Sequence, residues 1–197
     1  MDEKTMVALA KAGDHRAFEE IVRLYEKKLY AIAYRYTGSE QDALDVCQET
    51  FIRVYRFIGG FQENSGFSTW IYRVCTNACK DSVQRRQRRG ESSLDLRDEE
   101  GEEFELPLED NRYNPEQVLE QSELRRDLQA GIDALAPHHK EIVVLRDVEG
   151  MSYEQISQVL GLEIGTVKSR LNRGREHLRN FLLKLDGNKT ASPKSKR

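Results

Sequence analysis

Residues Ser152 to Arg173 read SYEQISQVLGLEIGTVKSRLNR. Ser152 with Gln155 three positions later has capping-box spacing, so a short helix starts beside them and runs to Leu160. Gly161 turns the chain, and a long basic helix follows from about Gly165 to Leu185. Ile156, Val159, Leu160, Leu162, Val167 and Leu171 are apolar at spacings that let the two helices pack. Short helix, glycine turn and cationic helix together form the pattern of a helix-turn-helix. On the second helix Lys168, Ser169, Asn172 and Arg173 fall on one face, where their side chains can reach base edges. Thr166 and the free amides of the first turn suit a phosphate. Arg170, Arg175 and Arg179 point elsewhere or further along, as backbone-tracking cations do. The competing reading is an amphipathic helix with a solvated cationic face. Against it stands the one-sided charge of Ile164 to Arg197, with 10 bases and 2 acids.

Outward from this motif, Asn114-Pro115 has the form of an N-cap followed by proline at the first helical position. Leu119, Leu128, Ile132 and Leu135 mark the helix it opens. Pro137 starts another helix, with Ile142, Val143, Leu145 and Val148, ended by Gly150. After Asp186 the chain is polar and lysine-rich, and a disordered tail is expected over 186–197. From Gly90 to Asn114 periodicity disappears and acids accumulate, so this segment reads as a flexible linker.

The first ninety residues read as helices only. Asp14 is an N-cap for a helix with Phe18, Ile21, Val22, Tyr25, Leu29, Ile32, Ala33 and Tyr36 on one stripe, ended by Gly38. Ser39 to Asp42 has capping-box spacing, and the next helix places Ala43, Leu44, Cys47, Phe51, Val54, Tyr55 and Ile58 before stopping at Gly59-Gly60. Asp42, Asp45 and Glu49 set carboxylates along its edge beside Gln48. That edge is either a solvated face or a dock for a basic partner helix. A fourth helix begins near Ser68 and continues into the arginine cluster ending at Arg89. Phe61, Phe67, Trp70 and Tyr72 interleave there with Arg73, Asn77 and Lys80, the mixture that holds single-stranded nucleic acid. Trp70, Ile71 and Val74 are equally consistent with a core.

Composition narrows the classes. Between Glu91 and Glu123 there are 13 acids and 2 bases, a net −11, which leaves +8 on the rest of a chain whose total is −3. Basic parts joined by an acidic one suit nucleic acid better than the total implies. No apolar run approaches the ~18–20 residues of a membrane span, and the first residues lack a secretory pattern, so no membrane insertion and a cytoplasmic setting are expected. Cys47, Cys75 and Cys79 suit a reducing compartment, and buried small hydrophobes are the better reading of Cys75 and Cys79. The four histidines have no metal-ligand spacing, and there is no phosphate-cradling loop or nucleophile elbow. We expect no enzyme, no cofactor and no metal.

These features in this order resemble the small bacterial sigma factors of the extracytoplasmic-function (ECF) group. Asp42 to Tyr55 is similar to the polymerase-binding helix of sigma region 2, Phe67 to Asp81 to its promoter-melting helix, and Ser152 to Leu178 to the helix-turn-helix of region 4. The resemblance implies an all-α protein of two small helical domains, region 2-like over 1–89 and region 4-like over 115–185, joined by the acidic linker 90–114. It implies core RNA polymerase (β′ clamp helices and β flap), promoter DNA and an anti-sigma factor as partners, with stress-linked control. Asp42, Asp45, Gln48, Glu49 and Phe51 would then meet the β′ clamp helices. Phe61 and its loop would shape a pocket for a flipped base of the −10 element, with Trp70, Arg73, Asn77 and Lys80 along the melted strand. Thr166, Lys168, Ser169, Asn172 and Arg173 would read the −35 element. Two positions depart from the family pattern: Ser157 stands where alanine is more frequent, and Glu163 where proline is. The linker is expected to mimic nucleic acid in a basic channel of the polymerase. A helix-turn-helix regulator that binds duplex DNA without polymerase is the alternative.

Overall fold

In the computed structural model the chain is described over residues 1–63, 65–88 and 115–191, with side chains for 1–63, 65–88 and 123–186. Among these residues there are α-helices, one 3-10 turn and one π turn, and no strand. The acidic linker, Asn64, Arg89, the expected cap Asn114 and residues 192–197 lie outside the described residues.

Four helices build the N-terminal block: α1 (Glu3–Lys11), α2 (His15–Thr37), α3 (Glu40–Phe57) and α4 (Phe67–Arg88). The sequence punctuation works as expected. Asp14 accepts from the amides of Arg16 and Ala17, and Gly38 leaves α2 at φ 72°, a left-handed geometry that glycine adopts without penalty. Ser39 accepts from the Asp42 amide and so supplies one half of the expected capping box. Ile21, Leu29, Ile32, Ile71, Cys75 and Cys79 are fully buried where α2 and α4 meet, each large aliphatic contributing about 2 kcal/mol.

The C-terminal block comprises α5 (Pro115–Asp133), α6 (Pro137–Val143), the π turn Val144–Val148, α7 (Tyr153–Leu160) and α8 (Ile164–Ala191). Two features depart from the sequence reading. The helix opened by Pro137 does not run regularly to Gly150. Val144 starts a π turn in which the amide of Glu149 reaches back to the carbonyl of Val144 at 3.2 Å. This turn buries Val144 and Leu145 together and swings Glu149 toward α4. The second departure is the tail, because α8 remains helical past Leu185 to Ala191.

The two blocks pack on each other. α4 contacts α7, and α2 contacts both α5 and the π turn. Buried side chains from both halves form one continuous cluster. Polar contacts seam its edge: Arg35 donates to Gln129 Oε1 at 2.9 Å, and Lys140 Nζ lies 3.3 Å from the Tyr36 carbonyl and 2.8 Å from Asp133.

Candidate functional site

The helix-turn-helix forms as its spacing predicts. Ser152 and Gln155 make a complete capping box, and Gly161 turns the chain at φ 67°. Ile156, Val159, Val167 and Leu171 bury their side chains between α7 and α8. With those positions inward, Lys168, Ser169, Asn172 and Arg173 are left exposed together, and Thr166 is half-buried at the start of the helix. Ser169 donates to the Thr166 carbonyl at 3.1 Å, and the Lys168 ammonium sits 5.6 Å from the ring centre of Tyr153. The Ser157 hydroxyl donates to the Leu162 carbonyl at 2.5 Å and braces the turn between the helices. Arg175 differs from expectation: it forms an ion pair with Asp147 and is held against the π turn instead of standing free for a backbone.

On α4, Arg73, Asn77 and Lys80 share one edge, as their spacing requires. Asn77 is exposed. Arg73 donates to the backbone carbonyl of Gln158 on α7, and Lys80 Nζ is 2.8 Å from Glu141 Oε2 on α6. Tyr72, one position away, donates to Glu149 at 3.4 Å. Burial pushes the Glu149 carboxyl above its ordinary range. Phe61 is only 7% exposed and packs against Phe67 and Trp70 at centroid distances of 5.6 and 5.2 Å, so its ring lies in the core beside the loop. Trp70 is half-buried over it and is the aromatic of this group that reaches the surface.

On α3, Asp45 and Gln48 are exposed, whereas Asp42 and Glu49 are engaged within the chain. Asp42 pairs with Arg86 at 3.4 Å, and Arg53 bridges Glu49 at 2.7 Å and Asp81 at 2.9 Å. Phe51 is half-buried against the core. The sequence reading missed the apolar half of this surface. Leu44 and Tyr55, two of the apolar residues this helix carries, are 56% and 50% exposed, and Ile52 and Phe57 are exposed too. The signal was present in the sequence: α3 carries apolar residues on more than one face, more than one core contact can absorb. A second apolar feature, a groove of about 500 Å³ lined by Leu124, Leu178, Leu182 and Leu183, lies between α5 and α8.

Cys75 and Cys79 are fully buried free thiols, and contact with Cys79 together with burial pushes the Cys75 thiol well up. Among the described residues no group of three or more His, Cys, Asp or Glu is placed to hold a metal ion. No described helix is long and apolar enough to cross a membrane.

The model for sigma-70 region 2 matches residues 21–89, and that for sigma-70 region 4 matches residues 125–178. The chain is 43% identical to the ECF RNA polymerase sigma factor SigE of Mycolicibacterium smegmatis over 188 residues, covering 93% of this chain and 70% of that protein. The chain belongs to the ECF RNA polymerase sigma factors. Its identity to SigW of Bacillus subtilis is 34% over 179 residues, 91% of this chain and 96% of the relative. Among solved structures, that of CnrH in complex with the cytosolic domain of CnrY matches with a TM-score of 0.67 at 23% identity, covering 93% of this chain and 98% of that one. The sigma factor RpoE of Bartonella quintana, solved with the anti-sigma factor NepR, matches at 0.63 and 24% identity over 86% and 98%. Both likenesses support the all-α fold. For this sigma factor, the exposed face of α8 falls within the region 4 match, and the edges of α3 and α4 fall within the region 2 match.

Proposed function

We propose that this sigma factor divides promoter recognition between its blocks. Residues 1–89 grip core polymerase and the −10 element, 90–114 connect, and the block from 115 onward reads the −35 element. Exposure of Lys168, Ser169, Asn172 and Arg173 on one face of a capped helix-turn-helix is the observation that supports this reading. Arg and Lys suit guanine acceptors in the major groove, Asn suits adenine, and Thr166 suits a flanking phosphate. Asp45, Gln48 and the exposed Leu44 form an acidic and apolar strip suited to the β′ clamp helices, with Asp42, Glu49 and Phe51 supporting it. The groove between α5 and α8 suits the β flap, and an anti-sigma factor would compete for the same apolar surfaces, as NepR is a partner of RpoE. Trp70, Arg73, Asn77 and Lys80 would meet the melted strand, with Phe61 supporting Trp70 from beneath. The protein acts in the cytoplasm with no cofactor and no catalysis of its own.

Separable substitutions test the division. Lys168→Ala with Arg173→Ala removes two groups worth ~1–3 kcal/mol each in base discrimination, so −35-dependent transcription should fall more than tenfold while core-polymerase binding persists. Asp45→Arg with Leu44→Arg should abolish co-purification with core polymerase, and transcription from every promoter with it. Loss of polymerase binding in the Lys168 and Arg173 variant, or its survival in the Asp45 and Leu44 variant, would refute the division of labour.

A further inference from the structure

Helix α1 precedes the region 2 match, which begins at residue 21, yet its two ends hold the aromatic group around Trp70. At its start, Glu3 accepts from the hydroxyl of Tyr25, whose ring packs edge-on against Phe67 and Tyr72 at 5.8 and 6.1 Å. At its last residue, the Lys11 ammonium donates to the backbone carbonyl of Phe61 at 2.9 Å and pairs with Glu63 Oε1 at 3.3 Å. The same ammonium stands 5.8 Å from the centre of the Phe61 ring. Met6, Val7 and Ala10 are buried, and α1 contacts both α2 and the 3-10 turn Ile58–Gly60. Packing therefore fixes the helix, and its polar ends act from a rigid support.

Lys11 holds a stretch whose backbone the core does not fix. Gln62 and Glu63 are exposed, and Glu63 has φ 56°, a left-handed conformation uncommon for any residue but glycine. Such a conformation persists where its surroundings over-determine it. Here one ammonium gathers the Phe61 carbonyl and the Glu63 carboxylate on either side of Gln62. An exposed ion pair alone is worth little, but a charged donor on a backbone carbonyl orients the peptide group it holds. The Phe61 ring in turn supports Trp70. A base stacked on an aromatic ring is held almost without regard to sequence, so choice among bases needs polar groups kept in place near the ring. The peptide groups of Gln62 and Glu63 follow directly on the residue that supports Trp70.

We infer that Lys11 is a positioning residue for −10 recognition: from α1 it fixes the backbone of residues 61–63, and the choice of base at one −10 position depends on that hold. This rests on the assignment of Trp70 and Asn77 to the melted strand.

The test uses holoenzyme assembled from bacterial core polymerase and the full chain, on a promoter mapped by transcription of fragmented host DNA. Transcript yields are compared on templates carrying each of the four bases at each −10 position. Lys11→Met keeps an aliphatic stem and removes the charge and the donors at a partly exposed helix end. It should reduce the base preference at one −10 position at least fivefold, with core-polymerase binding and −35 dependence unchanged. A uniform loss of yield with every preference intact is what a merely structural brace gives, and it would overturn the inference. Lys11→Arg, which keeps the charge and the donors, should stay within twofold of wild type. An arginine variant that behaves as Lys11→Met would also overturn it. The exposed Asn77→Ala separates the inference from the assignment beneath it, and should itself lower −10 preference. If Asn77→Ala lowers the preference and Lys11→Met does not, Lys11 alone is refuted. If neither changes it, the assignment of this edge to the melted strand fails as well.

Discussion

His139 is a residue whose surroundings set a sign. Its imidazole is 6% exposed, packs between the rings of His138 and His177 at 4.2 and 5.3 Å, and has an unpartnered Nδ1. Burial first, then the nearby His138, His177, Arg173 and Arg170, hold it below its ordinary value. The folded state therefore binds fewer protons than the unfolded one, whose histidine titrates near 6.5. The stabilisation is present above about pH 6.5 and is lost as pH falls from there through the lower folded value. Urea midpoints for the full chain should drop between pH 7.5 and pH 5.5, and His139→Gln should flatten that slope. An unchanged slope would place the acid sensitivity elsewhere. Ser157 and Glu163 were readable as departures, but the hydrogen bond that Ser157 makes was not. The bond from Ser157 to the Leu162 carbonyl supplies at the turn some of the rigidity that a proline would have given.

Helices α6 and α8 approach closely because Gly174 lacks a side chain. A Cβ there would stand 2.8 Å from Val143 Cγ2 and 3.3 Å from His139 Cβ, neither of which moves easily in a packed core. Gly174→Ala should cost ~1–3 kcal/mol in urea unfolding despite its better helix propensity. Gly131→Ala is the contrast. Its Cβ would stand 2.5 Å from the terminal Cδ1 of Leu178 and 3.2 Å from Cδ1 of the Phe181 ring, side chains that can swing aside without moving backbone, so this change should cost less than Gly174→Ala. If the two substitutions cost the same, close packing of α6 on α8 is not what Gly174 provides. Elements of this kind were mostly legible in the sequence. The stripe of α2, its Asp14 cap and its Gly38 stop follow directly from the 3.6-residue repeat. The π turn was not, because a single local widening leaves apolar spacing in a short segment almost unaltered. On α3, the exposure of Leu44 and Tyr55 was not legible, because periodicity marks apolar positions without saying how many of them a neighbour covers. The burial of Phe61 was not legible either: an aromatic beside a loop looks available until Phe67 and Trp70 close over it.

Across the whole molecule, charge and connectivity explain a protein that needs its enzyme. Net charge is −3, with −11 concentrated between Glu91 and Glu123, so attraction to free DNA is modest and falls steeply with salt. Attachment to polymerase raises the effective concentration of both DNA-reading faces, which together grip two promoter elements. The packing of the blocks on each other could not be read from periodicity, because it joins apolar residues far apart in the chain, with polar pairs such as Lys80–Glu141 and Arg35–Gln129 at its edge. The most direct measurement is transcription in vitro by bacterial core polymerase on fragmented host DNA, with and without this protein, with permanganate probing for unpaired thymines at each new start. The account predicts new transcripts that require the protein, with unpaired thymines at their −10 elements. No transcripts, together with a salt-sensitive duplex footprint from the protein alone, would contradict it.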